Sequence, residues 1–344
     1  MKIKQASRQT GISMVEVLVA LVISLFLLSG IVQVYLGNKT AYRFTEAVAR
    51  IQENGRFAIE SITQDLRMAG FFGCAMFDPE DTSNIVNNLN PSGAGYDAAL
   101  HDFVLAGIIN GTEGDGLNFS DSITLKGSKA GQLNIIPPFN VNTSADIFVT
   151  SNSIVKPDDI VMVSNCRGAD IFQVTNATIS STANKMAVIH NTGAGSPGNY
   201  NPDNCQGGNA HCLSQSYGAD AALFRLQSVS YAIAAGASGE PALWRSENGV
   251  SLELVEGVEE MQMLYGVDTD DDDFANQFVT IDQVADTFDI VSVRVMLLLR
   301  STDDFVAEEN QTYSFNGNLV NAADTRLRQE FTTTIALRNR VGAS

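Results

Sequence analysis

The sequence predicts an α+β protein in which one long N-terminal helix packs on antiparallel β-sheet, with a β-rich and loop-rich insertion between them. Three observations lead there. No charged residue occurs from Val17 to Asn38, about the length of apolar chain that crosses a bilayer core as a helix. Beyond it Phe44, Val48, Ile51, Gly55, Ala58, Ile62 and Leu66 recur at steps of three and four, which is one face of an amphipathic helix. The C-terminal part then consists of alternating, β-branched runs bounded by turn residues, the pattern of half-buried strands.

Residues 1–11 are polar and basic, with Lys2, Lys4 and Arg8 and no acid. An ordinary secretory signal, cleaved near Ser29 and Gly30, would begin in the same way. Two features oppose that reading. Glu16 stands at the mouth of the apolar run, and the run continues past Gly30 through Ile31, Val32, Val34, Tyr35 and Leu36. An acid at the start of a lipid-compatible segment is costly and calls for a function. A plain uncleaved anchor is the other simple reading.

No proline interrupts Met1 to Phe77, so the helix is expected from Ile12 to Ala69, with Gly70 as its stop. Such a helix is about 85 Å long, far more than a membrane needs. Gly30 and Gly37 are the expected places for a bend. Arg43, Glu46, Arg50, Glu53, Arg56, Glu60 and Asp65 read as its solvated face. The first half is apolar all round and the second on one side, which requires a domain for the second half to lie against.

Residues 75–120 are rich in Asn, Gly, Asp and Ser and read as surface loops with little regular structure. Strands are expected at Ser122–Lys126, Asp146–Thr150, Asp159–Ser164, Ile171–Thr175 and Met186–His190. A second loop region runs from Asn191 to Gly218. Longer strands follow at Ala222–Ala234, Ala242–Ser246, Val258–Val267, Phe288–Arg300 and Leu327–Arg338. In DIVSVRVMLLLR the face of Val291, Val293, Val295 and Leu297 is wholly apolar, as in an antiparallel strand buried on one side. The expected organisation is 1–11 leader, 12–38 membrane half of the helix, 39–70 amphipathic half, 71–218 loop- and β-rich region, and 219–344 C-terminal sheet region.

The composition narrows the function. With 44% hydrophobic and 17% charged residues the chain is a folded protein. Its net charge of −18, and 18 basic against 39 acidic side chains once residues 1–11 are set aside, exclude nucleic acid as a partner, because a phosphate backbone needs a cationic surface. The three histidines, His101, His190 and His211, form no metalloprotease spacing. Neither a phosphate-binding Gly loop with Lys nor a Gly-x-Ser-x-Gly elbow occurs, so no residue is assigned a catalytic role and no cofactor is expected.

Four cysteines, Cys74, Cys166, Cys205 and Cys212, follow the apolar run. Outside the cytoplasm an even count reads as two disulfides, of which three pairings exist. Cys205 and Cys212 flank a short loop and pair most simply with each other. Cys74 with Cys166 would then pin the helix end to the β-domain. A zinc site using Cys205, His211 and Cys212 is the rival, without a clear fourth ligand. Asp268, Asp270, Asp271, Asp272 and Asp273 crowd one loop. It reads as a solvated hairpin tip. The alternation of Asp268, Asp270 and Asp272 is also how an EF-hand calcium loop begins, though the central Gly and the distal Glu are missing.

At Gly11-Ile12-Ser13-Met14-Val15-Glu16 the chain resembles the type IV prepilin cleavage and methylation motif. The resemblance implies cutting between Gly11 and Ile12 by a prepilin peptidase, methylation of the new Ile12 amine, and an acid at position five, Glu16. Ile in place of the commoner Phe is a departure. The segments RIQENGRFAIESITQDLRMAGFFGC, LVEGVEEMQMLYGVDTD, VSVRVMLLLRS and RLRQEFTTTIALRN resemble PilW-type minor pilins; residues 80–215 carry no motif of that kind. The implied protein has a pilin-like fold and initiates pilus assembly, with other minor pilins and the major pilin as partners. It is held by a single pass in the inner membrane with its domain in the periplasm until it joins the pilus. A J-type pseudopilin of type II secretion, and a tip adhesin or calcium-dependent binding module built from residues 75–215, are the alternatives.

Overall fold

The computed structural model describes residues 11, 13–73, 84–103, 108–139, 144–150, 154–180, 184–193, 195–200, 213–270, 272–304, 306–307 and 309–339. Helix α1 (Met14–Met68, 55 residues) is about 80 Å long. It runs unbroken through Gly30 and Gly37, so neither glycine interrupts it as expected. At its end the Ala69 N–H donates to Asp65 O at 3.0 Å. Gly70 then takes φ +75°, the left-handed geometry that glycine adopts without a Cβ penalty.

The remaining elements are β1 (Ile85–Asn87), α2 (Ala98–His101), β2 (Ile109–Thr112), β3 (Ser122–Asn134), β4 (Asp146–Thr150), β5 (Ile160–Asn165), β6 (Gly168–Gln173), β7 (Asn176–Ser180) and β8 (Lys185–Ile189). They continue with β9 (Ala222–Ala235), β10 (Pro241–Glu247), β11 (Val250–Glu256), β12 (Val258–Val267), β13 (Gln277–Val279), β14 (Ile290–Arg300), β15 (Thr312–Phe315), β16 (Asn318–Asn321) and β17 (Arg328–Ala336). All ten expected strands are present within a few residues, β3 running much longer than expected. The loop region before residue 120 nevertheless holds β1, α2 and β2.

Strand β9 is the spine of an eight-stranded sheet. Along one edge it pairs with β3, from Ile123 opposite Tyr231 to Asn134 opposite Ala222. Its other edge is shared: β5 takes residues 222–225 and β10 takes 229–235. β6 and β1 extend the sheet beyond β5, and β11 closes it beyond β10. A four-stranded sheet in the order β13-β12-β14-β17 stands beside it, and β4, β8 and β7 form a three-stranded sheet.

These sheets make layers. The helix residues Ile51, Ala58, Ile62 and Leu66 share a core with Leu226, Val229, Tyr231 and Leu243 of the large sheet and Met261, Val293, Val295 and Leu297 of the smaller one. On the far side of the large sheet Val161, Val163, Phe172 and Leu223 meet Ile147, Val149, Met186 and Val188 of the three-stranded sheet. β5 therefore buries both faces, and its near-continuous apolar run IVMV follows from that. β14 is buried more fully than expected too. Its Met296 and Leu298 pack under Phe315 of the β15–β16 ribbon, so the strand is not half-solvated.

Two corrections concern the helix. Phe44, expected on the packed face, is 45% exposed, and burial begins at Ile51. Asp65, expected on the solvated face, has a side chain only 13% exposed and an ion pair with Arg245. At the helix–sheet seam Phe331 of β17 lies over Gly55, where an added Cβ would come within 2.4 Å of its Cζ. The Asn339 side chain donates to Arg67 O and Ala69 O, each at 3.1 Å, meeting carbonyls that the helix end leaves without intrahelical partners.

The seam gives a sharp test. Gly55→Ala should destabilise the full chain by about 1–3 kcal/mol through overpacking against Phe331, even though alanine is the better helix former by about 1 kcal/mol. Gly30→Ala, which meets nothing within 4 Å, should be neutral or slightly stabilising. Thermal unfolding of the two variants in the same detergent checks this, and equal melting temperatures would contradict the seam.

Candidate functional site

The N-terminal segment is the first candidate. Ser13 begins the helix in extended backbone (φ −70°, ψ 143°), and its N–H donates to Glu16 Oε2 at 3.3 Å. Glu16 thus serves the first turn as a capping acid, where negative charge also meets the positive end of the helix dipole. Gly11 is exposed, and Ile12 lies outside the described residues. Every residue from Met14 to Thr45 is exposed in the subunit. The helix is long and apolar enough to cross a membrane, and none of its most apolar 18-residue window is buried.

The Asp268 loop is the second candidate. It brings carboxylate oxygens of Asp268, Asp270 and Asp272 within 4.8 Å of one another. Much of that convergence is a turn holding itself together. Asp268 Oδ1 accepts the N–H groups of Asp270 and Asp272, and Oδ2 accepts that of Asp273 at 2.7 Å. Asp270 Oδ1 holds the Asn276 amide at 3.0 Å. A cation would have to compete with these donors, so weak calcium binding is the most that the loop supports. Calorimetry of the full chain tests that expectation: heat saturating at millimolar calcium supports it, and its absence removes it.

Of the four cysteines Cys166 is described, and it is disulfide-bonded. Cys74, Cys205 and Cys212 lie outside the described residues, as does His211, so the expected pairings and the rival zinc site fall outside them too. Nearby, Asp170 is fully buried in the insertion. It accepts the Ser214 and Tyr217 hydroxyls at 2.7 Å each, the Ser214 N–H at 2.9 Å and the Asn88 amide at 2.8 Å. Burial raises its carboxyl and these hydrogen bonds oppose the shift. The ring of donors ties β1, β6 and residues 214–217 together; the sequence signalled none of it, because an aspartate in a strand looks like any other.

Two ion networks were equally illegible. Asp65 of α1 accepts the Tyr231 hydroxyl at 2.6 Å and Arg245 Nε at 2.9 Å, and Arg245 also holds Glu247 at 3.0 Å. This network latches the helix to β9 and β10. The other joins the two larger sheets. Glu240, in the β9–β10 turn, meets Arg300 at 2.6 Å and Arg326 at 3.0 Å. Arg300 and Arg328 both pair with Glu259 of β12, and Arg328 also binds Asp324. The seam between the sheets is closed by the Asn118–Asp121 turn along the free part of the β12 edge. Met263 N–H donates to Asp121 Oδ2 at 2.8 Å and Asn118 Nδ2 to Glu259 O at 2.9 Å.

A bare apolar half-helix continuous with a half clamped on antiparallel sheet defines the class of a pilin-like subunit. Residues 230–339 match the PilW family, described as type IV pilus-assembly protein W. That match covers the C-terminal region, from the last six residues of β9 through β17; it supports the PilW family and a role in type IV pilus assembly, and the single apolar N-terminal helix fits a membrane-anchored protein. No curated protein and no solved structure matches the chain.

The sheet-joining network sets a pH limit. Hydrogen bonding from Arg328 holds the Asp324 carboxyl below its usual 3.8. At Glu240 burial acts upward, but Arg300 and Arg326 outweigh it and the net shift is below 4.5. Lowered folded-state values stabilise the fold above the unfolded values, and that stability is lost as pH falls through the folded ones. Asp324→Asn should therefore melt earlier than the parent at pH 7, with the difference shrinking toward pH 3. A difference independent of pH would contradict the linkage.

Proposed function

We propose that the chain is a minor pilin that initiates assembly of a type IV pilus. A prepilin peptidase cuts between Gly11 and Ile12 and the new Ile12 amine is methylated. The apolar half of α1 holds the subunit in the inner membrane, with its domain in the periplasm. It then leaves the bilayer to join other minor pilins and the major pilin at the pilus tip.

The observation that carries this reading is Glu16 on a helix left uncovered from Met14 to Thr45. Cleavage would create an amine on Ile12, four residues before Glu16 in the sequence. In low dielectric an amine and a carboxylate each need a partner. Glu16 supplies one, either to its own chain or to a neighbouring subunit. Apolarity on every side of the helix suits both a lipid environment and the core of a helix bundle.

The same helix would also suit a J-type pseudopilin of type II secretion. The separate core between β5–β6 and the three-stranded sheet favours the pilus reading, because it builds a larger head than a short pseudopilin needs. One experiment addresses both. Replacing Gly11→Val should leave the chain uncut in membranes, with residues 1–11 still present by intact mass, and should abolish surface fibres. Normal maturation would contradict the assignment. Blocked maturation with fibres intact and secretion lost would point to the pseudopilin.

A further inference from the structure

The domain begins close to where α1 leaves the hydrocarbon core. The charge-free run Val17–Asn38 is about 33 Å of helix against a core of about 30 Å, so Asn38 lies near one boundary of that core. Lys39 is the first charge beyond it. Tyr35 and Tyr42, 65% and 69% exposed, bracket the same boundary, as the aromatic residues of a headgroup belt do. The headgroup layer is about 5–8 Å thick on each side of the core. Arg43, five residues past Asn38, stands about 8 Å farther along the axis, at the outer limit of that layer.

Among the described residues the domain makes its first hydrogen bond to the helix at this level. Arg43 Nη2 donates to Asp304 O at 3.2 Å. Beside it is a cleft of about 80 Å³ lined by residues that include Arg43, Glu46, Arg50, Glu256, Thr302 and Asp303. Both signs of charge meet there. Arg50 and Glu46 neutralise each other at 2.7 Å. Arg43 and Asp303 have no ion-pair partner among the described residues. The Arg43 guanidinium spends one of its five donors on Asp304, and Glu256 is held by a neutral group, the Ser238 hydroxyl. The helix side of the cleft therefore offers an unpaired cation, and the domain side offers acids without a cation.

A ligand that satisfies both sides carries both charges. We propose that the cleft binds the headgroup of a zwitterionic phospholipid with a primary amine, phosphatidylethanolamine. Its phosphate takes the free donors of Arg43, and its ammonium donates to Asp303 and Glu256. A choline headgroup presents the same phosphate but has no N–H to give. An anionic headgroup brings no cation for the acids, in a chain that carries 39 acids against 21 bases. The bound lipid holds the domain at a fixed height over the bilayer. This assignment rests on the membrane-anchored reading of α1, and on neither processing at Gly11 nor the pilus role.

The test assembles the full chain into bilayer discs of equal parts phosphatidylcholine and phosphatidylethanolamine. The chain is then released in mild detergent, and native mass spectrometry counts the lipid it retains. The ethanolamine lipid should be retained in preference to the choline lipid. Asp303→Asn should lower that preference roughly fivefold or more, because it removes a charged hydrogen-bond acceptor. Arg43→Gln should lower retention of both lipids, since both carry the phosphate. Arg56→Gln removes the same charge from α1 about 20 Å beyond Arg43 and should behave as the parent does. All three positions are exposed, and circular dichroism should show one fold throughout. Equal retention of the two lipids by the parent would overturn the proposal. So would an equal effect of Arg56→Gln, or stronger retention of phosphatidylglycerol when it replaces the ethanolamine lipid. A chain that enters no disc would instead overturn the membrane anchor on which the site rests.

Discussion

The constraint on which the rest depends is that one unbroken helix must satisfy two environments. From Ile51 to Leu66 it is held on one side by two sheets, and before Thr45 the subunit leaves every residue of it exposed. The packed half is fixed by shape and by charge. Phe331 fits over Gly55 because only a glycine leaves room for its ring. Asp65 binds Tyr231 and Arg245, so a slide of the helix along the sheet would break a largely buried ion pair. The Asn339 amide holds the helix's last carbonyls. A helix anchored in this way can transmit a pull on its free half to the whole domain.

The domain is built to receive that helix. Two sheets share one core beneath it, and their junction is closed by side chains and isolated backbone bonds, such as Asp121 N–H to Met261 O at 2.8 Å, instead of a continuous ladder. The Asn118–Asp121 turn supplies partners to the β12 edge, and the arginines at 300, 326 and 328 bridge to Glu240 and Glu259. The insertion adds a third layer through β5, whose two faces serve two cores. The core under the three-stranded sheet contains no residue of the helix.

Much of this was legible in the chain because it rests on periodicity. The helix limits, the apolar half, the stop at Gly70 and the ten main strands follow from spacing and turn residues alone. What escaped depends on contacts between distant residues. Asp65 sits in a row of charges and differs from its neighbours only in having Tyr231 and Arg245 opposite it. Phe44 obeys the helical period, but the domain begins to bury the helix only at Ile51. β11 and the β15–β16 ribbon are short and surface-exposed, so their alternation is weak. The crowding of Asp268, Asp270 and Asp272 was visible, while the use of Asp268 as a turn cap was not.

The central claim is that the helix is divided into a bare half made for lipid or a bundle and a half held on the domain. Spin labels placed singly at Leu25 and Phe57 of the full chain in bilayers test it most directly. The label at position 25 should collide with lipid-soluble oxygen and be shielded from a water-soluble nickel complex. At position 57, which is exposed on the domain half, the preference should be reversed. A label at 25 shielded from both reagents, or a label at 57 reached by oxygen in preference to nickel, would contradict the division.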